Sequence, residues 1–130
     1  MPDKAWKAFE RRIAKSLDTH RTPLSGGASR HTRSDTLHPD LYVECKQRKS
    51  SYAFSQYAAT RIHAREEKKV PVLALHVSGS PTTLAIIDWD FFLKLWGCLI
   101  EVAVEHGWPE GDHFIESCKI DTERKGVTHD

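Results

Sequence analysis

The sequence predicts an α/β protein, with a mixed central sheet flanked by helices in the order α-β-β-β-α-β-β-α. Three observations carry this. Helical spacing of apolar residues appears in three stretches well separated along the chain. Between them lie short runs rich in β formers, broken by Gly, Pro and Ser. The chain has 130 residues, 39% of them apolar, which suits one domain with a packed core. That domain is expected over residues 1–118, with 119–130 as a flexible tail. No apolar run approaches the ~20 residues that cross a membrane, and the charged start Met1-Pro2-Asp3-Lys4 is unlike a secretory leader.

Residues 3–18 read as the first helix, with Asp3 near its N-cap. Trp6, Phe9, Ile13, Ala14 and Leu17 share one arc, and Glu10 falls inside it. A carboxylate there needs a cation, a metal or a route to water, unless it bends outward from the stripe's edge. His20-Arg21-Thr22-Pro23-Leu24 is an expected edge strand, followed by the loop Ser25-Gly26-Gly27-Ala28-Ser29. Ser34-Asp35-Thr36-Leu37 and Leu41-Tyr42-Val43-Glu44-Cys45-Lys46 form a hairpin about His38-Pro39-Asp40. A helix from Ser50-Ser51 to about Lys68 carries Phe54, Tyr57, Ala58 and Ile62 on its apolar face. Val70 to Val77 is nearly all apolar, as in an interior strand covered on both sides, and Thr83 to Ile87 returns beside it. Asp88 or Asp90 caps a third helix, Phe91 to His106, closed by Gly107 and Pro109.

The net charge of +1 hides a division. Residues 1–69 carry 15 Lys/Arg against 8 Asp/Glu, or +7, and residues 70–130 carry 4 against 10, or −6. A basic face made by the first half suits a polyanionic partner, although two plain solvated surfaces give the same tally. Cys45, Cys98 and Cys118 form no CxxC pair, which points to a reducing, cytoplasmic setting. A zinc site from Cys118, His113 and His106 matches no ligand spacing.

The hairpin concentrates the chemistry. Alternation along its second strand sends Val43 and Cys45 to one face, Glu44 and Lys46 to the other. Folding about His38-Pro39 brings Asp35 beside Glu44. Two neighbouring carboxylates repel unless a proton or cation lies between them, and oxygen ligands of this kind suit Mg²⁺. Such an ion stabilises charge on a phosphodiester, and Lys46 alongside would orient water or neutralise the phosphorane. Acid-x-Lys recurs at Glu66/Lys68, Glu67/Lys69 and Glu123/Lys125, but only Glu44/Lys46 follows an apolar β run with an acid on a preceding strand. Asp40 competes with Asp35, yet lies about 13 Å from Glu44 along extended chain. A surface hairpin with a structural ion pair is the plain alternative.

Glu10, then Pro23-Leu24-Ser25-Gly26, Asp35, Glu44-Cys45-Lys46 and Gln56 resemble the PD-(D/E)XK nuclease superfamily. The likeness covers about residues 4–90 and is greatest to Holliday-junction resolvases of the archaeal and phage type. It implies a restriction-endonuclease-like core and a role in DNA recombination and repair, in the host cytoplasm if phage-encoded. Asp35, Glu44 and Glu10 are then the Mg²⁺ ligands, with the Cys45 backbone carbonyl, and Mn²⁺ substitutes. Lys46 is implied as the catalytic lysine, Ser25 as a loop serine near the scissile phosphate, and Gln56 as a DNA contact. Pro39-Asp40 has the look of the family's Pro-Asp at a different spacing, so Asp35 and Asp40 both stay open as the upstream acid. Such proteins act as two-fold dimers on four-way junctions. Arg11, Arg12, Arg30, Arg33, Arg48 and Lys49 would then face the duplex arms. Trp89, Phe92 and Trp96 are offered to either a dimer contact or the core.

The expectation is a homodimeric, Mg²⁺-dependent junction endodeoxyribonuclease. Its rivals are a restriction-type, nicking or flap-cleaving enzyme of the same fold, and a catalytically inert DNA-binding module.

Overall fold

The structure, a computed structural model, describes residues 4–23 and 32–119. Ser25 and Arg30, the loop around them, the expected cap Asp3 and the tail from residue 120 lie outside the described residues. Two compact units divide the chain, Met1–Lys49 and Ser50–Asp130.

In the first unit, α1 (Ala5–Ser16) begins at Lys4, whose carbonyl accepts from the Lys7 and Ala8 amides. The N-cap therefore falls one residue after the expected aspartate. The helix closes when Asp18 adopts φ +56°. The Asp18 amide then donates to the Lys15 carbonyl and the Thr19 amide to that of Ala14. These are the two reversed bonds of a Schellman motif, with aspartate where glycine is usual. Ile13, Ala14 and Leu17 are buried as the spacing predicts, while Trp6 stays partly exposed under two cations.

Among the described residues, the three strands expected between residues 20 and 46 appear only as an antiparallel bridge between Arg21 and Thr36. The Thr22 amide donates to the Asp35 carbonyl (3.1 Å), Leu37 to His20 (2.9 Å) and Asp35 to Val43 (2.7 Å). The Val43 amide instead meets the Ser34 hydroxyl (2.8 Å), and the Cys45 amide meets Asp35 Oδ2 (2.6 Å). Side-chain oxygens occupy the places that carbonyls hold in a regular ladder, so the backbone is extended and paired without forming named strands. The alternation survives: Val43 and Cys45 are half-buried, and Tyr42, Glu44 and Lys46 are exposed.

In the second unit, α2 (Tyr52–Glu66) is capped by the Ser51 hydroxyl, which accepts from the Phe54 amide. It ends in a second Schellman closure, through Lys68 at φ +56°. Of its predicted apolar face only Tyr57 is buried; Phe54 and Ile62 are 74% and 62% exposed. Strands β1 (Leu73–His76) and β2 (Thr83–Ile86) pair antiparallel, with Leu73 opposite Ile86 and His76 opposite Thr83. Gly79, at φ +87°, takes the turn position that calls for a left-handed residue, and Ser80 donates back to Val77. Among the described residues the regular sheet has these two strands. Leu73 and Leu75 are half-covered while Ala74 and His76 are open, so the run is a hairpin with one covered face, not an interior strand.

Helix α3 (Trp89–His106) starts at Asp88 and stops at Gly107, φ +82°. Trp89, Phe92 and Trp96 form a column with centroid spacings of 5.1 and 6.5 Å. No residue of α3 is buried. A short α4 (Phe114–Cys118), which the sequence did not suggest, holds Phe114 stacked on Trp108 at 5.7 Å. No helix among the described residues is long and apolar enough to cross a membrane.

Candidate active site

The bonding that displaces the ladder also ties one of the predicted acids to the Glu44 segment. Asp35 turns its carboxylate onto the Cys45 amide, which fixes it against the segment bearing Glu44 and Lys46. Ser34 reinforces this from the neighbouring position, accepting from the Val43 amide and donating to the Val43 carbonyl at 3.1 Å. Glu44 and Lys46, two apart on extended chain, emerge on the same side and pair at 3.0 Å. Their side chains are 50% and 63% exposed, so the pair contributes little to stability and is accessible to a ligand.

Glu10 arrives from α1. Its Oε2 accepts from Arg21 Nε at 2.5 Å, with the two side chains only 12% and 19% exposed. The cation demanded by a carboxylate in an apolar stripe is thus Arg21, eleven residues on and anchored by the bridge to Thr36. Its guanidinium also lies 5.4 Å from the Trp6 ring centroid. Residue spacing showed the need for a cation but not its source, because the loop between α1 and the bridge sets which side chain returns to Glu10.

Cys45 reports the field of the whole group. Its thiol is pushed up from 9.0 to about 11, first by burial and then by the charges of Asp35, Glu10 and Glu44, in that order. Three carboxylates from three segments therefore act on one half-buried atom. Asp40 is elsewhere: it is exposed on the turn, where its amide and that of Leu41 both donate to His38 Nδ1 at 3.0 Å. Of the two upstream acids, Asp35 is the one whose carboxylate bonds to the segment bearing Glu44, at the Cys45 amide. No family model matches the chain, and neither do the curated proteins or solved structures compared with it.

The expected DNA contacts Arg11, Arg12, Arg33, Arg48 and Lys49 are all exposed in this first unit, Arg12 lying 5.2 Å from the Phe9 ring. Gln56 is exposed on α2 of the second unit. Dividing the charge where the structure divides the chain gives residues 1–49 11 Lys/Arg against 6 Asp/Glu, or +5, and residues 50–130 8 against 12, or −4.

Among the described residues no three His, Cys, Asp or Glu side chains converge closely enough to hold a metal ion. Glu10, Asp35 and Glu44 are oxygen donors of the kind a hard divalent cation takes, but the structure does not bring the three together as one ligand set. Each is already engaged, by Arg21, the Cys45 amide and Lys46 respectively. A cation entering here exchanges with those partners.

Proposed function

We propose that this protein is a Mg²⁺-dependent, structure-selective endodeoxyribonuclease of the PD-(D/E)XK type. On this reading it works in the cytoplasm as a homodimer that nicks opposed strands of four-way DNA junctions, with a restriction-endonuclease-like core. The observation that carries the reading is the bond by which the Cys45 amide holds the Asp35 carboxylate against the segment bearing Glu44, with Lys46 paired to Glu44. Glu10, Asp35 and Glu44 would hold Mg²⁺, or Mn²⁺ in its place, and the ion would supply Lewis-acid charge at a phosphate oxygen. Lys46 keeps its ammonium at the exposed end of the group, where a fixed positive charge offsets that building on the phosphorane. Arg33, Arg48 and Lys49 offer phosphate contacts nearby along the chain, and their binding energy falls as salt rises.

The test is incubation of a synthetic four-way junction, a linear duplex, a single strand and a flap, each with Mg²⁺ or with chelator. Paired symmetric nicks near the branch point, lost with chelator, are the expected result. Equal cutting of linear duplex overturns the junction assignment. Lys46→Ala should lower cleavage at least ~100-fold, as removal of a stabilising charge from a reacting centre does, while junction affinity stays within a few-fold. Cleavage unchanged in that variant removes Lys46 from the site.

A second reading has an observation of its own. All three carboxylates already have partners inside the protein, which favours an inert nuclease fold that binds DNA. Salt-sensitive junction binding without any Mg²⁺-dependent product is its signature.

A further inference from the structure

The outer side of α1 is uniformly cationic. Lys4, Lys7, Arg11, Arg12 and Lys15 fall within an arc of roughly 140°, opposite the buried Ile13, Ala14 and Leu17. Lys7 is half-buried and the other four are exposed. The helix has one acid, Glu10, and it is turned inward onto Arg21. Among the described residues Lys4, Lys7, Arg12 and Lys15 have no carboxylate partner. The Lys7 ammonium and the Arg12 guanidinium lie instead over the Trp6 and Phe9 rings, at 5.5 and 5.2 Å. The helix itself does not call for such a stripe. Its first turn holds no acid, and Lys4 and Lys7 stand at the end where the helix dipole is positive. Only Lys15, in the last turn, is placed where the helix gains from a cation. Five of the eleven Lys/Arg of residues 1–49 are gathered here.

We propose that this stripe is a docking track for the phosphodiester backbone of duplex DNA. From the reading above it takes only the DNA partner, and it needs neither a metal nor cleavage. From Lys4 to Lys15 the helix rises about 16 Å, a length over which one DNA strand presents about five phosphates. Cations repeated at each turn, with no acid among them, match a partner whose charges are also of one sign and evenly spaced. With Ile13, Ala14 and Leu17 buried, α1 has no apolar face to lay in a lipid surface, which sets a membrane aside. Contacts to phosphate carry no base information, so the track holds duplex of any sequence.

The test is fluorescence anisotropy of the full-length protein with a labelled linear duplex, in chelator, across a salt series. The wild type is compared with Lys4→Gln/Lys7→Gln/Lys15→Gln and with a control of the same net charge, Arg65→Gln/Lys69→Gln/Lys94→Gln. Glutamine keeps the helix propensity of lysine, and circular dichroism checks that each protein is folded. The α1 variant should bind at least ~10-fold more weakly at low salt. Its plot of log Kd against log salt should flatten by about 2.7, from three contacts at ~0.9 each. If that variant does not fold, Lys15→Gln alone carries the comparison, with a flattening of about 0.9. The control should stay within about threefold of the wild type and keep its slope. An equal loss in the control overturns the track in favour of net charge, and an unchanged slope in the α1 variant overturns it outright. So does a wild type that binds no duplex. Polyglutamate that displaces the duplex as well as unlabelled DNA of equal charge replaces the DNA partner with an acidic protein. DNA held through α1 by a protein that nicks nothing with Mg²⁺ leaves the track standing and removes the nuclease. Nicking by a protein whose slope ignores the α1 variant does the reverse.

Discussion

At Cys45 the thiol sits where three carboxylates and partial burial all oppose ionisation, and its value of about 11 follows from those causes. At pH 8 roughly one such thiol in a thousand is thiolate, so Cys45 is chemically quiet despite being half-open to solvent. Iodoacetamide at that pH should label the exposed Cys98 and Cys118 well before Cys45, as peptide mass mapping over time would show. Asp35→Asn removes the largest of the charge effects and should speed Cys45 labelling several-fold. Unchanged labelling would mean that the carboxylates do not converge on this atom. The sign for stability follows too. The folded thiol titrates above its ordinary value of 9.0, so the folded state loses stability as pH rises from about 9 toward 11.

The elements show how much a sequence pattern can encode. Helix α1 was legible because Ile13, Ala14 and Leu17 recur at helical spacing and are buried. Helix α3 was legible from its aromatic and aliphatic run and its stop at Gly107. The segment holding the candidate site was legible in its direction and alternation but not in its bonding. Hydropathy says which residues face inward; it does not say that Ser34 and Asp35 take over amides a ladder would otherwise use. Likewise Asp18 and Lys68 close two helices in a left-handed conformation that glycine usually supplies, so neither end carried its ordinary signal. Ser34 is 3% exposed and binds both backbone groups of Val43. Ser34→Ala leaves those groups to find other partners, which costs about 1–3 kcal/mol in denaturant unfolding. A loss under about 0.5 kcal/mol would show that water replaces the hydroxyl freely.

For the molecule as a whole, the charge stays divided, though less sharply, when it is counted by structural unit instead of at residue 69. The unit bearing the site is +5 and the other −4, so a polyanion is drawn to the first and repelled by the second. The acidic unit also holds a long helix with no buried residue. Packing within it joins β1 to β2 and α2 to β1, while α3 keeps every residue at least partly exposed, including Leu95 and Val102 at about half of their surface. A helix apolar over most of its circumference is normally covered, and the homodimer proposed above supplies a cover. Sedimentation equilibrium should then show a dimer at micromolar concentration, and Leu95→Lys should shift it to monomer. A monomer in both proteins would detach α3 from the dimer.

Gly97 sharpens that choice. It stands in the middle of α3, and a methyl group added to it meets nothing within 4 Å among the described residues. Glycine is a costly choice in a helix interior, where alanine would hold the same backbone about 1 kcal/mol more firmly. Where two helices cross, the missing methyl becomes a notch that lets their backbones approach. If the proposed homodimer uses α3, the least conspicuous residue of that helix is where the second copy's backbone would find room.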